Sequence, residues 1–131
     1  MFVDASALCA ILLDEPDADY FTAKLETAVR PITSAVAVYE TVAALLRAKT
    51  ADLAEARAQV EEFMRRARME TVPIGGVERD GALGAMARFG KGRHPARLNM
   101  GDCFAYACAK SRGVPLLYKG EDFARTDIVA A

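Results

Sequence analysis

Three acids set far apart in the chain, Asp4, Glu40 and Asp102, and one adjacent pair, Glu121-Asp122, are the residues best suited to chemistry. Asp4 follows the apolar start Met1-Phe2-Val3, where a short strand would end; the same position can cap the helix that follows. Along a helix, Glu40 has Val36, Ala37, Ala43 and Ala44 as its neighbours at three and four residues, and its nearest helical cation is Arg47, two turns on. A carboxylate in such surroundings is costly to bury unpaired and tends to stay protonated. Asp102 stands three residues after Asn99, in the first turn of an apolar helix. A negative charge there gains roughly 0.3–1 kcal/mol from the helix N-terminus, whatever else it does. Glu121-Asp122 follow an apolar strand and Gly120, as a solvated turn also would, and Asp127 is a further acid of the same kind.

Brought together, these side chains would repel. Two carboxylates ~4 Å apart repel by roughly 4 kcal/mol at an effective dielectric of about 20. Three or four of them raise one another's pKa or loosen the fold unless a cation sits among them. An all-oxygen ligand set favours Mg²⁺ or Mn²⁺. Such an ion orients a phosphate, activates a water and stabilises the leaving oxygen, so the chemistry expected is phosphodiester hydrolysis.

Other chemistries find less support. The chain has one His and three Cys (Cys9, Cys103, Cys108) without a Cys-x-x-Cys pair, which argues against zinc and for buried thiols. Gly90-x-Gly92 is too short for a nucleotide-binding loop. A net charge of -1 excludes a nucleic-acid binder that works by bulk charge alone. Yet no acid occurs between Gly81 and Gly101, whereas Arg88, Lys91, Arg93 and Arg97 all do. These four are candidates to guide an RNA backbone, with His94 in the same loop. Ser6, two residues after Asp4, is within reach of a site carboxylate or a phosphate.

These residues need elements to hold them. Met1 to Asp4 reads as a strand and Ala5 to Leu13 as a helix. Pro16 suits the start of a second helix over Asp17 to Ala28. Arg30 to Thr33 reads as a strand whose pairing Pro31 limits. Ser34 caps a helix through Lys49, and Asp52 caps another through Arg68. Glu70 to Pro73 is a third strand, and Val77 to Phe89 a helix despite Gly81 and Gly84. A polar loop covers Gly90 to Leu98. Asn99 caps a helix to Ser111 that Gly113 ends. Val114 to Tyr118 is a fourth strand and Asp127 to Val129 a candidate fifth. Strands alternating with helices predict one α/β domain over residues 1–131, with a central, mainly parallel sheet of four to five strands. In such sheets the ligand crevice lies outside the carboxyl ends of the strands. The composition, 53% hydrophobic and 27% charged, is that of a globular protein. No apolar run is long enough for a membrane span, and the start does not read as a secretory signal; a cytoplasmic protein is expected.

The stretch Met1-Phe2-Val3-Asp4-Ala5-Ser6-Ala7-Leu8 resembles the opening of PIN-domain nucleases, more specifically the VapC toxins of bacterial VapBC toxin–antitoxin pairs. The resemblance continues through Glu40 within Ser34 to Leu46 and is densest from Arg88 to Ile128, where Leu98-Asn99-Met100-Gly101-Asp102-Cys103-Phe104-Ala105-Tyr106 and Pro115-Leu116-Leu117-Tyr118-Lys119-Gly120-Glu121-Asp122-Phe123 fall. It implies a PIN-like (Rossmann-like) α/β/α sandwich, Mg²⁺-dependent endoribonuclease activity, homodimerisation and inhibition by a cognate VapB-type antitoxin. Apolar residues of the first two helices are candidates for a partner surface as well as for core. The family's acidic positions carry over to Asp4, Glu40 and Asp102, with Asp4 and Asp102 as direct metal ligands. Many PIN domains then show Thr-x-Asp-x-Asp-Phe. Here the aligned positions are Tyr118, Gly120, Asp122 and Phe123, so the first Asp is replaced by Gly120, and Glu121, Asp122 and Asp127 all stay open as the fourth acid. Another phosphoryl hydrolase and a receiver-like binding module are the alternatives. Against the latter, a lone Asp4 stands where paired acids are usual.

Overall fold

The structure is a computed structural model that describes residues 1–48 and 52–131. Strands β1 (Phe2–Val3), β2 (Ile32–Ser34), β3 (Glu70–Val72) and β4 (Leu116–Leu117) form one sheet in the order β3-β2-β1-β4, with every pair parallel. The helices are α1 (Ala5–Leu12), α2 (Ala18–Glu26), α3 (Ala35–Ala48), α4 (Leu53–Arg66), α5 (Gly76–Phe89) and α6 (Met100–Arg112), and a 3₁₀ turn covers Phe123–Arg125.

The two-residue period of a strand explains how so short a sheet is covered on both sides. Phe2 and Leu116, paired in register, point into a cluster with Ala82, Ala85 and Phe89 of α5 and Cys103, Ala107 and Cys108 of α6. Their neighbours Val3 and Leu117 point the other way, onto Leu8 of α1 and Phe21 and Leu25 of α2. Each large apolar side chain so buried contributes roughly 1.5–3 kcal/mol. A third cluster, Leu45, Ala56 and Val60, joins α3 to α4. The α/β/α sandwich is therefore the architecture found. The chain runs β1, β2, β3 to one side and then returns to place β4 on the other side of β1. The order reverses between β1 and β4, so the crevice belongs at their carboxyl ends.

Several boundaries differ from those expected, each for a physical reason. The fifth strand does not form: from Asp127 to Val129 the chain approaches the sheet, but only Ala130 makes an isolated bridge, to Leu116. With β4 two residues long, there is little edge for it to pair with. Pro31 lacks an N–H, and β2 starts one residue after it. Pro16 lies outside α2, before its N-cap Asp17. The Asp17 carboxylate makes no capping bond and instead accepts from the Lys119 ammonium at 2.7 Å. The expected end of α3 at Lys49 lies outside the described residues. Gly81 is tolerated inside α5 because a Cβ there would stand only 3.1 Å from Ala107 of α6, so the glycine lets the two helices approach closely. The cysteines are free thiols, Cys103 and Cys108 buried and Cys9 half-buried. Of the apolar side chains of the first two helices, Leu8, Phe21 and Leu25 are buried in the core, whereas Tyr20 is 55% exposed. No helix among the described residues is long and apolar enough to cross a membrane.

Candidate metal centre

Asp4 ends β1, caps α1 and is 4% exposed. Its Oδ2 accepts from the Ser6 amide at 3.0 Å and from the Ser6 hydroxyl at 2.5 Å. The Ser6 hydroxyl in turn accepts from the Lys119 amide at 3.0 Å, just past β4. Lys119 is itself held by its ammonium, which donates to Glu15 and Asp17. The cap and the site are thus one residue, and a short relay ties it to the other strand of the crevice. Burial pushes the Asp4 pKa up, against the pull of the Ser6 and Ala5 hydrogen bonds.

Glu40 projects from α3 and Asp102 from the first turn of α6. Asp102 forms a capping box with Asn99: the Asp102 carboxylate accepts from the Asn99 amide at 2.8 Å, and the Asn99 side chain accepts from the Asp102 amide at 3.0 Å. Both carboxyls are half-buried, and both are pushed up to about 6. The main cause in each is burial. For Glu40 the further causes are Asp4 and then Asp102; for Asp102, opposed by the Asn99 hydrogen bond, they are Asp4 and then Asp122. Residues separated by up to 98 positions therefore act on one another's ionisation. No ion pair to Asp4, Glu40 or Asp102 occurs among the described residues.

The three candidates for a fourth acid separate. Asp122 is exposed and raises the pKa of Asp102. Glu121 is exposed and its charge is felt by the Tyr118 phenol. Asp127 is engaged elsewhere: it accepts from the Tyr106 hydroxyl at 2.6 Å and pairs with Lys110 at 3.3 Å and Arg88 at 3.4 Å. These bonds hold its pKa at about 2.

The basic residues separate as well. Arg88 reaches back to Asp127 and lies over the Phe89 ring, 4.5 Å from its centre. Lys91, Arg93 and Arg97 are exposed and line a cavity of about 450 Å³ on the loop before α6. That loop is closed by Lys91 N–H donating to Leu98 at 3.1 Å, and His94 Nδ1 accepts from the Ala96 amide at 3.1 Å. His94 also packs edge-on against Phe89, so it shapes the loop.

Sequence reasoning missed two contributors. Lys119 lies in the stretch that resembles the family but was given no role there, since its partners lie about a hundred residues away. Gly101 gave a faint signal, a glycine inside an Ala-rich helix; it lies directly against the Glu40 carboxyl.

Residues 1–129 match the PIN domain family. The chain belongs to the PIN-domain family. This PIN domain is 41% identical over 128 residues to "Ribonuclease VapC30" of Mycobacterium tuberculosis, covering 98% of this chain and 95% of the relative. It is 42% identical over 133 residues to "Ribonuclease VapC" of Mycolicibacterium smegmatis, covering 99% and 98%. The crystal structure of Mycobacterium tuberculosis VapC20, described as a "Sarcin-Ricin loop cleaving toxin", superposes with a TM-score of 0.79 over 99% of this chain and 97% of that one. At 16% identity that likeness speaks for the fold.

The acids of this PIN domain fit a divalent cation in chemistry: oxygen donors only, raised pKa values and, among the described residues, no ion pair to any of them. No three His, Cys, Asp or Glu side chains among the described residues are grouped tightly enough to enclose an ion. Mg²⁺ does not need that, because it commonly takes one or two carboxylates and keeps several waters. Saturating Mn²⁺ is therefore expected to raise the melting temperature of the wild type and to leave that of Asp4→Asn unchanged. At a hundredfold excess over the Kd the gain is about 2.7 kcal/mol, read by differential scanning fluorimetry.

Proposed function

We propose that this PIN domain is a VapC-type toxin, a Mg²⁺-dependent endoribonuclease that hydrolyses RNA phosphodiester bonds and is neutralised by a VapB-type antitoxin. The observation that carries the reading is the set of raised carboxyls Asp4, Glu40 and Asp102 at the rim of the sheet: burial raises all three, the Asp4 charge raises the other two further, and among the described residues none of the three has an ion pair. Names of relatives at about 41% identity over nearly the whole chain support it. Asp4 and Asp102 would hold the ion directly and Glu40 directly or through water. A bound Mg²⁺ supplies Lewis-acid stabilisation of the phosphate oxygens and a more acidic water.

The chain's own residues do the rest. Ser6 fixes the Asp4 carboxylate through its hydroxyl, and Asn99 fixes that of Asp102 through its amide. Glu40, where it meets the ion through water, is placed to take the proton that an attacking water gives up. Asp122 is the fourth acid, in preference to Glu121. Lys91, Arg93 and Arg97 guide the RNA backbone, whereas Arg88 is occupied by Asp127. Exposed apolar side chains on α3 to α6, such as Tyr39, Leu46, Leu83 and Met86, are the surface available to the antitoxin and to a second copy in a cytoplasmic homodimer.

The test is cleavage of a structured RNA by the wild type with Mg²⁺, the wild type with a chelator, and Asp4→Asn with Mg²⁺. Cleavage in the first alone supports the reading, and equal cleavage in all three refutes it. Phosphomonoester turnover without RNA cleavage would favour a phosphatase. Growth arrest on expression, relieved by the product of the neighbouring gene, tests the toxin role. The Lys91→Glu/Arg93→Glu/Arg97→Glu variant is expected to raise KM by roughly tenfold or more at 50 mM salt, with less effect at 300 mM, because phosphate contacts are screened.

A further inference from the structure

We propose that Gly101 is a positioning residue: its missing side chain leaves the notch at the head of α6 in which the Glu40 carboxyl is seated beside Asp102. The inference rests on the metal-ribonuclease reading and deepens it.

Gly101 is buried in the first turn of α6, between the helix start at Met100 and Asp102. A Cβ built on it would overlap both oxygens of the Glu40 carboxyl and stand 2.5 Å from its Cδ. The backbone conformation at this position does not call for glycine. Its backbone is helical, unlike that of Gly113, whose φ of 62° lies in the left-handed region. Alanine is the better helix former, so a glycine here works against the helix that carries it. The other tight glycines have structural reasons: a Cβ on Gly90 would strike the Met86 backbone, and one on Gly81 would crowd Ala107. At Gly101 the obstacle is instead the tip of a flexible side chain, which can swing away. Gly101→Ala should therefore fold and yet drive Glu40 from its place. Because α3 brings the carboxyl and α6 brings both the notch and Asp102, the glycine sets the relation between two acids on different helices.

The experiment compares wild type, Gly101→Ala, Glu40→Ala, the double variant and Gly84→Ala. Gly84 also lies on a helix, but a Cβ there would meet nothing within 4 Å. Mn²⁺ affinity, kcat and KM for RNA, and melting temperature are read for each. For Gly101→Ala, Mn²⁺ affinity is expected to fall about 10-fold, in the range seen when support for a metal ligand is lost. Its kcat is expected to fall about 10- to 100-fold with KM within about twofold, and its melting temperature to stay within about 3 °C of the wild type or to rise. Gly84→Ala is expected to match the wild type in affinity and kcat. In the Glu40→Ala background, Gly101→Ala is expected to have no further effect on either quantity. Wild-type affinity and kcat in Gly101→Ala would overturn the proposal. So would the same loss in the Glu40→Ala background as in the wild type. A wild type that binds Mn²⁺ without cleaving RNA would refute the ribonuclease reading, and the affinities alone would then decide the role of Gly101.

Discussion

Asp4→Asn is expected to abolish RNA cleavage, by on the order of 10³-fold or more, while leaving the metal-free protein as stable as the wild type or more so at pH 7.5. The activity loss follows if Asp4 holds the ion, since Lewis-acid stabilisation is worth several kcal/mol. The stability gain follows from linkage. Burial raises the pKa of Asp4 in the folded state, and Glu40 and Asp102 reach about 6. A carboxyl whose folded pKa exceeds its unfolded value of about 4 favours folding less as pH climbs from about 4 through the folded value. Above that window it is a buried charge held by the Ser6 hydrogen bonds but with no ion pair among the described residues. Asparagine keeps an acceptor for the Ser6 amide and hydroxyl, so the helix cap survives, and it carries no charge. The check is a pair of thermal melts in chelator at pH 4.5 and pH 7.5. The difference between variant and wild type should be more favourable to the variant at the higher pH. A variant less stable at both values would mean that Asp4 serves the fold first.

Glu78→Ala is expected to do the reverse, lowering the melting temperature by about 5–10 °C without acting on the chemistry. Glu78 is buried near the start of α5. It accepts from the Gly75 amide at 2.9 Å, the Ser111 hydroxyl at 2.9 Å and Arg112 at 2.9 Å. Arg112 also donates to Pro73 at 2.9 Å, so one ion pair fastens the head of α5 to the tail of α6 and to the chain leaving β3. These bonds lower the Glu78 pKa to about 2. The sign is opposite to that of the site acids: the stabilisation is full above the unfolded value of about 4.5 and is lost as pH falls towards 2. The gap between variant and wild type should therefore be narrower in melts at pH 3 than in melts at pH 7. Truncation leaves the Gly75 amide and the Ser111 hydroxyl without this acceptor and Arg112 without its carboxylate. A drop of equal size at both pH values would point to lost packing instead.

The acids of the site and the acid that fastens α5 to α6 differ in how they could be known. Glu40 was visible as a charge among Val and Ala with no cation one turn away, and Asp102 as an acid at the mouth of an apolar helix. Glu78 was not visible, because its neighbours along α5 look ordinary and its partners Ser111 and Arg112 sit more than thirty residues on. The fourth acid was ambiguous for a similar reason. Glu121, Asp122 and Asp127 are all acids of the segment that follows β4, and only the folded chain brings Asp122 to bear on Asp102 while Tyr106, Lys110 and Arg88 draw Asp127 away.

Local physics in the chain determined the kinds of element and most of their ends. Caps at Asp4, Ser34, Asp52 and Asn99, the stop at Gly113 and the alternation of short apolar strands with helices all follow from bonds within a few residues of one another. The parallel α/β class follows from that alternation. Tertiary structure alone decided which strand lay beside which, that the last segment would make one bridge rather than a strand, that Asp17 would serve Lys119 rather than its helix, and that Gly101 would cradle Glu40. Each of these depends on groups meeting across 14 to more than a hundred residues. Sequence spacing says nothing about such meetings until the core has closed and the sheet order is set.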